Sequence, residues 1–237
     1  MSEPAAEAHS PCTVLDESFQ RAVLIVAHPD DVEWGLAAAV ARWTSMGKQV
    51  SYLLATRGEA GIEGVAPEIA GPLREEEQRA AGVHVGVSDI VYLDLPDGGL
   101  KDAPDLVERI AAAVTERSPE LAVVQFSGAE WAPGAPNHPD HIAAGQASIT
   151  ALQGTGIRVY EQDPHGQVLI DVQDHLAAAI DSLAAHHEYL AVLDPHTPVR
   201  DQARKVVEET CSPLEALDGR RGVRLRALSG GDLPATA

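Results

Sequence analysis

Short apolar runs alternate along the chain with stretches in which apolar positions recur every three or four residues. The runs at 21–27 (RAVLIVA), 49–56 (QVSYLLAT), 89–95 (DIVYLDL) and 121–126 (LAVVQF) have the length and β-branched content of buried strands. Between them, 34–46, 73–84, 104–117 and about 139–152 carry the amphipathic period of helices. Strands alternating with helices imply βαβ units. The expected fold class is therefore α/β: a Rossmann-like, mostly parallel sheet with helices on both faces. The C-terminal part is less regular. IRVYEQ and QVLIDV read as a hairpin or as edge strands around DPHG. One long helix is expected from about Gln173 to Leu193, with Leu176, Ile180, Leu183 and Leu190 on one face, and a second near 198–210. The loops at 57–72 and 127–137 are long and rich in Gly and Pro, a frequent mark of functional segments. The expected organisation is a flexible N-terminal arm, 1–20, and a single domain over 21–237.

Composition narrows the function classes. A formal charge of −19, from 17 basic against 36 acidic residues, opposes nucleic acid and anionic membrane surfaces. No apolar run approaches the roughly 20 residues that a spanning helix needs. The N-terminal residues lack the basic start and apolar core of a signal peptide. With no secretory signal, Cys12 and Cys211 read as free thiols, and the expected setting is cytoplasmic. The expected partner is a small-molecule substrate, with no nucleic acid and no membrane anchor. Homo-oligomerisation is left open.

The chemistry concentrates where the first strand ends. In AVLIVAHPDDVEWG (22–35), three carboxylates and an imidazole fall within six residues. Acidic side chains at this turn would repel a pyrophosphate, which disfavours a dinucleotide site. They suit a cation. His28 and Asp31, three apart, come to one side of a helical first turn and make a two-point clamp, while Asp30 lies one step round, where it can face a water. A catalytic zinc needs three protein ligands and an open position. A second His-Pro-Asp cluster, PNHPDHIAAG (136–145), supplies His138 and His141, again three apart and entering a helix. The C-terminal ends of parallel strands share one edge, so the two clusters can converge into a His-His-Asp site. The same trio binds Fe(II) in oxygenases, though usually with H-x-D spacing on β-barrels. A non-catalytic metal- or sugar-binding module needs neither Asp30 nor a second histidine of the pair.

Together AHPDDVE (27–33), TRGEAG (56–61), LREEEQRAA (73–81), LDLPDGGL (93–100) and APNHPDH (135–141) resemble the PIG-L/LmbE-like zinc-dependent N-deacetylases. That family includes deacetylases of N-acetylglucosaminyl-phosphatidylinositol and of mycothiol and bacillithiol synthesis. The resemblance implies His28, Asp31 and His141 as ligands of Zn2+, or of another divalent metal such as Fe2+. It implies Asp30 as general base, and His138 as the group that stabilises the oxyanion or protonates the leaving amine. Asp140 would orient His138 and favour its imidazolium. Glu59, Arg74 and Asp97 match substrate-holding positions. The implied activity is removal of an N-acetyl or other N-acyl group from a small amino-sugar conjugate; an amidase acting on a thiol conjugate or a non-sugar N-acyl compound is the alternative. Where many members carry Gly-Gly this chain has Ala38-Ala39, and where some mycothiol-type members carry Tyr it has Pro136.

Other residues carry two readings each. Arg74 is either a substrate contact or one of the surface pairs of its helix, and Glu59 and Asp97 are sugar acceptors or loop caps. Trp131 is a flat face for substrate or a loop anchor. Glu33 supports His28 or caps a helix. His165, His175, His186, His187 and His196 are expected at the surface or in packing.

Overall fold

The computed structural model describes residues 12–228. The chain order is β1 (Thr13–Val14), β2 (Arg21–Val26), α1 (Ala37–Ser45), β3 (Gln49–Leu54), α2 (Pro67–His84), β4 (Asp89–Tyr92), α3 (Leu106–Arg117) and β5 (Leu121–Val124). It continues through β6 (Glu130–Ala132), β7 (Ala135–Pro136), α4 (Pro139–Leu152), β8 (Arg158–Gln162) and β9 (Val168–Asp171). The last elements are α5 (Leu176–Ala184), α6 (His187–Leu193), α7 (Val199–Thr210) and β10 (Gly222–Ala227). Among the described residues, eight strands form one sheet in the order β1-β9-β10-β8-β5-β2-β3-β4, while β6 and β7 make a small hairpin of their own. The pairs from β8 through β4 are parallel, and β10 runs antiparallel between β8 and β9.

Both faces of the sheet are covered, which is why its strands read as continuous apolar runs. In β2, Leu24 and Val26 pack toward α1, α5 and α7, whereas Val23 and Ile25 pack toward α3 and α4. β2 is central, with β3 on one side and β5 on the other. The sheet's topology reverses there, at the position where open α/β sheets hold ligands beyond their carboxyl ends.

The structure corrects several expectations. The long helix over 173–193 is two helices, broken at His186, which leaves helical geometry (φ −78, ψ 56). Its ring is fully buried and turns in toward Glu33, and Glu77 Oε1 accepts the Glu188 N–H at the start of α6. The apolar period runs unbroken from Leu183 to Leu190, so the pattern conceals the break. IRVYEQ and QVLIDV supply β8 and β9, but β10 lies between them, so they are not a hairpin. The loop expected over 57–72 is helical from Pro67, where proline at the first turn costs no hydrogen bond. Of the arm expected to be flexible, residues 1–11 lie outside the described residues. The rest is docked: Thr13–Val14 pairs with β9, and Leu15 and Phe19 are buried. Glu17 also accepts hydrogen bonds from Arg42 and Trp43.

Candidate active site

The sharp exit from β2 sets the site. Asp30 has φ 85, a left-handed conformation that costs a non-glycine residue on the order of 1–3 kcal/mol. Three side chains hold it there. Gln78 Oε1 accepts the Asp30 N–H at 2.8 Å, Arg74 Nη2 donates to Asp30 Oδ1 at 3.0 Å and to Pro29 O at 2.6 Å, and Trp34 Nε1 donates to Asp30 Oδ2 at 2.7 Å. Arg74 is buried, also donates to Gly58 O at 3.2 Å, and stacks on the Tyr189 ring at 4.1 Å. It is therefore not a surface pair of α2: its guanidinium braces Asp30, while its Nε is buried without a hydrogen-bond partner and the residue lines the cavity. The surface pair on that helix is Arg79 with Glu75, at 2.6 Å. Burial raises the Asp30 pKa. Arg74 opposes that rise, and the neighbouring Asp31 charge adds to it. A carboxylate raised in this way is a stronger base.

Asp31 points to the other side of the turn. Its Oδ2 accepts the His28 N–H at 2.8 Å and lies 3.5 Å from His28 Nδ1, and its Oδ1 lies 3.0 Å from His141 Nε2. Burial alone would raise the Asp31 pKa, but His141 and His28 outweigh it and hold the group below the ordinary carboxylate range. His28 Nε2 lies 3.0 Å from Asp97 Oδ1 and 3.5 Å from Asp140 Oδ2, yet it is buried without hydrogen-bond geometry to either. Burial lowers the His28 pKa, but the carboxylates of Asp140, Asp31 and Asp97 more than offset this and raise it well above the usual imidazole value.

The two histidines of the second motif, brought beside His28 by the start of α4, are held in opposite senses. Asn137 Nδ2 donates to Phe126 O and to Gly128 O, both at 2.9 Å. That fixes Asn137 Oδ1 as an acceptor for the His138 N–H at 2.8 Å and for His141 Nδ1 at 3.0 Å. His141 therefore carries a proton on Nδ1, and its Nε2 is the ring nitrogen that faces Asp31. His138 is the reverse. Its Nδ1 accepts the Asp140 backbone N–H at 3.2 Å, so in the neutral ring the proton sits on Nε2. Burial, followed by His28 and His141, lowers the His138 pKa; Asp140 opposes this without reversing it. Asp140 thus meets His138 through its backbone N–H rather than its carboxylate. Its carboxylate accepts from the Gly98 N–H at 2.7 Å and the Leu100 N–H at 3.1 Å, and faces His28 instead.

Of the three expected substrate-holding residues, Asp97 lines the cavity beside His28 and accepts the Ala60 N–H at 2.9 Å. Glu59 instead caps loops, accepting from the Asp97 and Arg57 backbone N–H groups at 2.9 and 3.3 Å, and does not line the cavity. Glu33 does not reach His28. It accepts from Gln78 Nε2 at 3.1 Å and faces the buried His186. The sequence reading passed over Asn137, Gln78 and Tyr189. For Asn137 a signal was present, since an Asn directly before His-Pro at a helix start has its backbone neighbours within reach.

The donors suit a divalent cation. His28, His138 and His141 place ring nitrogens within 4.8 Å of one another, and His28, Asp97 and Asp140 form a second such group. His28 Nε2 is a buried nitrogen with no hydrogen-bond partner, and imidazoles with carboxylates are the donor types of zinc and related metals. Above the cluster opens a cavity of about 690 Å³, lined also by Trp34, Trp131 and Tyr189. Among the described residues, no helix is long and apolar enough to cross a membrane.

The PIG-L family model, described as GlcNAc-PI de-N-acetylase, matches residues 23–152, more than half of the chain and all of the cluster. The 1D-myo-inositol 2-acetamido-2-deoxy-alpha-D-glucopyranoside deacetylase of Kineococcus radiotolerans is 31% identical over 167 residues, covering 56% of this chain and 45% of that protein. The matched stretch spans less than two thirds of the length of this and similar curated relatives. Among solved structures, the N,N'-diacetylchitobiose deacetylase from Pyrococcus horikoshii superposes with a TM-score of 0.75 at 17% identity, covering 89% of this chain and 84% of that one. GalB, the 4-carboxy-2-hydroxymuconate hydratase from Pseudomonas putida KT2440, superposes with a TM-score of 0.72 at 15% identity, covering 92% and 100%. A deacetylase and a hydratase thus share this fold, and the fold alone does not choose the reaction.

Proposed function

Because the chain belongs to the PIG-L (GlcNAc-PI de-N-acetylase) family, we propose that it is a metal-dependent hydrolase that removes the N-acetyl group of a small amino-sugar conjugate. The observation that carries this reading is the opposed setting of His138 and His141 beside Asp30 and Asp31. His141, tied through its Nδ1–H to Asn137, would present Nε2 and join His28 and Asp31 as a metal ligand. His138, with a proton on Nε2, cannot ligate through that atom and is a hydrogen-bond donor. A mere metal-binding module has no use for that division, nor for a buried base held at positive φ.

His28, Asp31 and His141 would hold a divalent cation, whose Lewis acidity would acidify water and polarise the acyl carbonyl. The donor set favours zinc. Asp30 takes the proton of the attacking water, its position fixed by Gln78, Arg74 and Trp34. As the carbonyl carbon becomes tetrahedral, the His138 Nε2–H donates to the developing oxyanion, a preorganised contact that strengthens in the transition state. A neutral His138 has no second proton to give. The proton held by Asp30 therefore passes to the departing nitrogen as the C–N bond breaks. The carboxylic acid and the free amine leave, the second proton of the water remaining on the acid until it ionises, and Asp30 is again ionised. This division modifies the sequence-based expectation, in which an imidazolium at position 138 could fill both roles.

The test is acetate release from N-acetylglucosamine and its glycosides, measured before and after chelation. Release that stops with chelator and returns with one equivalent of Zn2+ per chain supports the reading. Release that is indifferent to chelation, or absent with every metal supplied, overturns it.

A further inference from the structure

Two buried titratable groups have no part in the chemistry above. Glu33 lies in the turn after β2 and His186 at the junction of α5 and α6, and neither side chain is exposed. His186 Nε2 lies 3.5 Å from Glu33 Oε2, and neither atom has a hydrogen-bond partner elsewhere. A buried pair of this kind is a poor stabiliser, since two apolar side chains of like volume commonly do as well. What it can do that an apolar pair cannot is orient a polar neighbour.

That neighbour is Gln78 on α2, itself buried. Its Nε2 donates to Glu33 Oε1 at 3.1 Å, and its Oε1 accepts the Asp30 N–H at 2.8 Å. A carboxamide has a donor end and an acceptor end of nearly equal shape, so packing alone does not choose which way it points. A carboxylate only accepts. Glu33 therefore claims the NH2 end of Gln78 and leaves the oxygen for Asp30. Turned the other way, Gln78 would set its NH2 against the Asp30 N–H, donor against donor, where the backbone is held at φ 85. Glu33 thus holds Asp30 twice, through Gln78 on the Asp30 N–H and by its own N–H on Asp30 O at 2.8 Å. His186 faces the second carboxylate oxygen, so the Glu33 side chain is held at both of its ends.

We propose that Glu33 and His186 are positioning residues for Asp30: the buried pair fixes the direction of the Gln78 carboxamide, and through it the left-handed turn that presents the carboxylate to the attacking water. The proposal rests on the reading of Asp30 as the base and adds the residues that present it.

The experiment uses the zinc-loaded full chain, with acetate release from N-acetylglucosamine and NMR-detected amide exchange at Asp30 as readouts. Glu33→Met and Gln78→Met should each lower kcat about 10–100-fold, the scale of a reacting group displaced by about 1 Å. KM and metal content should stay within about twofold of wild type, a split that general loss of structure does not produce. The two substitutions together should cost no more than either alone, because they cut one chain of contacts. Glu33→Gln, which keeps an acceptor for Gln78, should recover most of kcat, and His186→Leu should lower kcat less than Glu33→Met does. If Glu33→Met melts early with His186 left unpaired, Glu33→Met/His186→Leu restores an apolar core and carries the comparison. Additive losses, or a folded Glu33→Met or His186→Leu with wild-type kcat, overturn the proposal and leave the reaction standing. A wild type that releases no acetate overturns the reaction instead. Amide exchange then decides the positioning separately: exchange at Asp30 at least about tenfold faster in Glu33→Met supports it, and equal exchange overturns it.

Discussion

Replacing Asn137 with alanine tests how the second motif is held together. The carboxamide is buried and makes four hydrogen bonds, two donated to the Phe126 and Gly128 carbonyls and two accepted from His138 N and His141 Nδ1. A hydrogen bond of this type contributes about 1 kcal/mol net, and a buried partner left unpaired costs about 1–3 kcal/mol. Some of the released groups can rehydrate toward the cavity, so the expected destabilisation is about 2–4 kcal/mol, read from denaturant unfolding of the metal-free protein. The second effect is on metal affinity. Without Oδ1, His141 is free to carry its proton on Nε2 and to rotate, and loss of such a supporting partner weakens metal binding by about 10–100-fold. Competition with a chromophoric chelator measures this independently of turnover. Asn137→Asp separates the two effects. It keeps an acceptor for the His141 Nδ1–H but sets a carboxylate oxygen against two carbonyls, so it should lose more stability than alanine does while retaining more metal affinity. Folded Asn137→Ala protein that binds Zn2+ within about twofold of wild type would refute the assignment of the His141 tautomer.

Three further outcomes are expected. Arg74→Lys, with one ammonium in place of a fork that reaches Pro29, Asp30 and Gly58, should lower kcat about 10–100-fold with metal content unchanged, as measured by steady-state kinetics and metal analysis. Gly58→Ala should act through the same brace: at φ 65 a Cβ would lie 2.2 Å from Arg74 Nη1, so both stability and kcat should fall, read from thermal melts and acetate release. Burial pushes the Cys211 thiol up to about 11, against smaller opposing effects of Thr210 and Arg221. Its folded pKa exceeds the unfolded value, so its contribution is intact below about pH 9 and is lost as pH rises toward 11. Denaturant unfolding across that window should show wild type losing up to about 2–3 kcal/mol more than Cys211→Ala.

The sheet was legible because its strands are covered on both faces and its helices on one. β2, β3, β5 and α4 lie where the apolar periods put them. The convergence of the two His-Pro-Asp motifs followed from parallel topology alone. What escaped the pattern depends on contacts between distant segments. His186 breaks a helix whose apolar stripe continues through it, because a buried carboxylate from residue 33 faces its ring. Arg74 is not one of the surface pairs that its helix suggested, since its hydrogen-bond partners lie 16 to 45 residues away in sequence. Asp140 stands two residues from His138, a spacing that suggests a side-chain pair, but the first turn of α4 directs its carboxylate to the amides of Gly98 and Leu100. The docking of Thr13–Val14 beside β9 likewise depends on a partner more than 150 residues away, which no local period reveals.

The most direct measurement pairs metal content with acetate release for wild type, Asp31→Ala and Asp30→Asn, purified under identical conditions and supplied with Zn2+. The account predicts about one tightly held metal per chain in wild type. It predicts loss of that metal in Asp31→Ala, and retention of metal with loss of turnover in Asp30→Asn, where an amide cannot accept the proton of the attacking water. Metal bound equally by wild type and Asp31→Ala, or full turnover by Asp30→Asn, would contradict it.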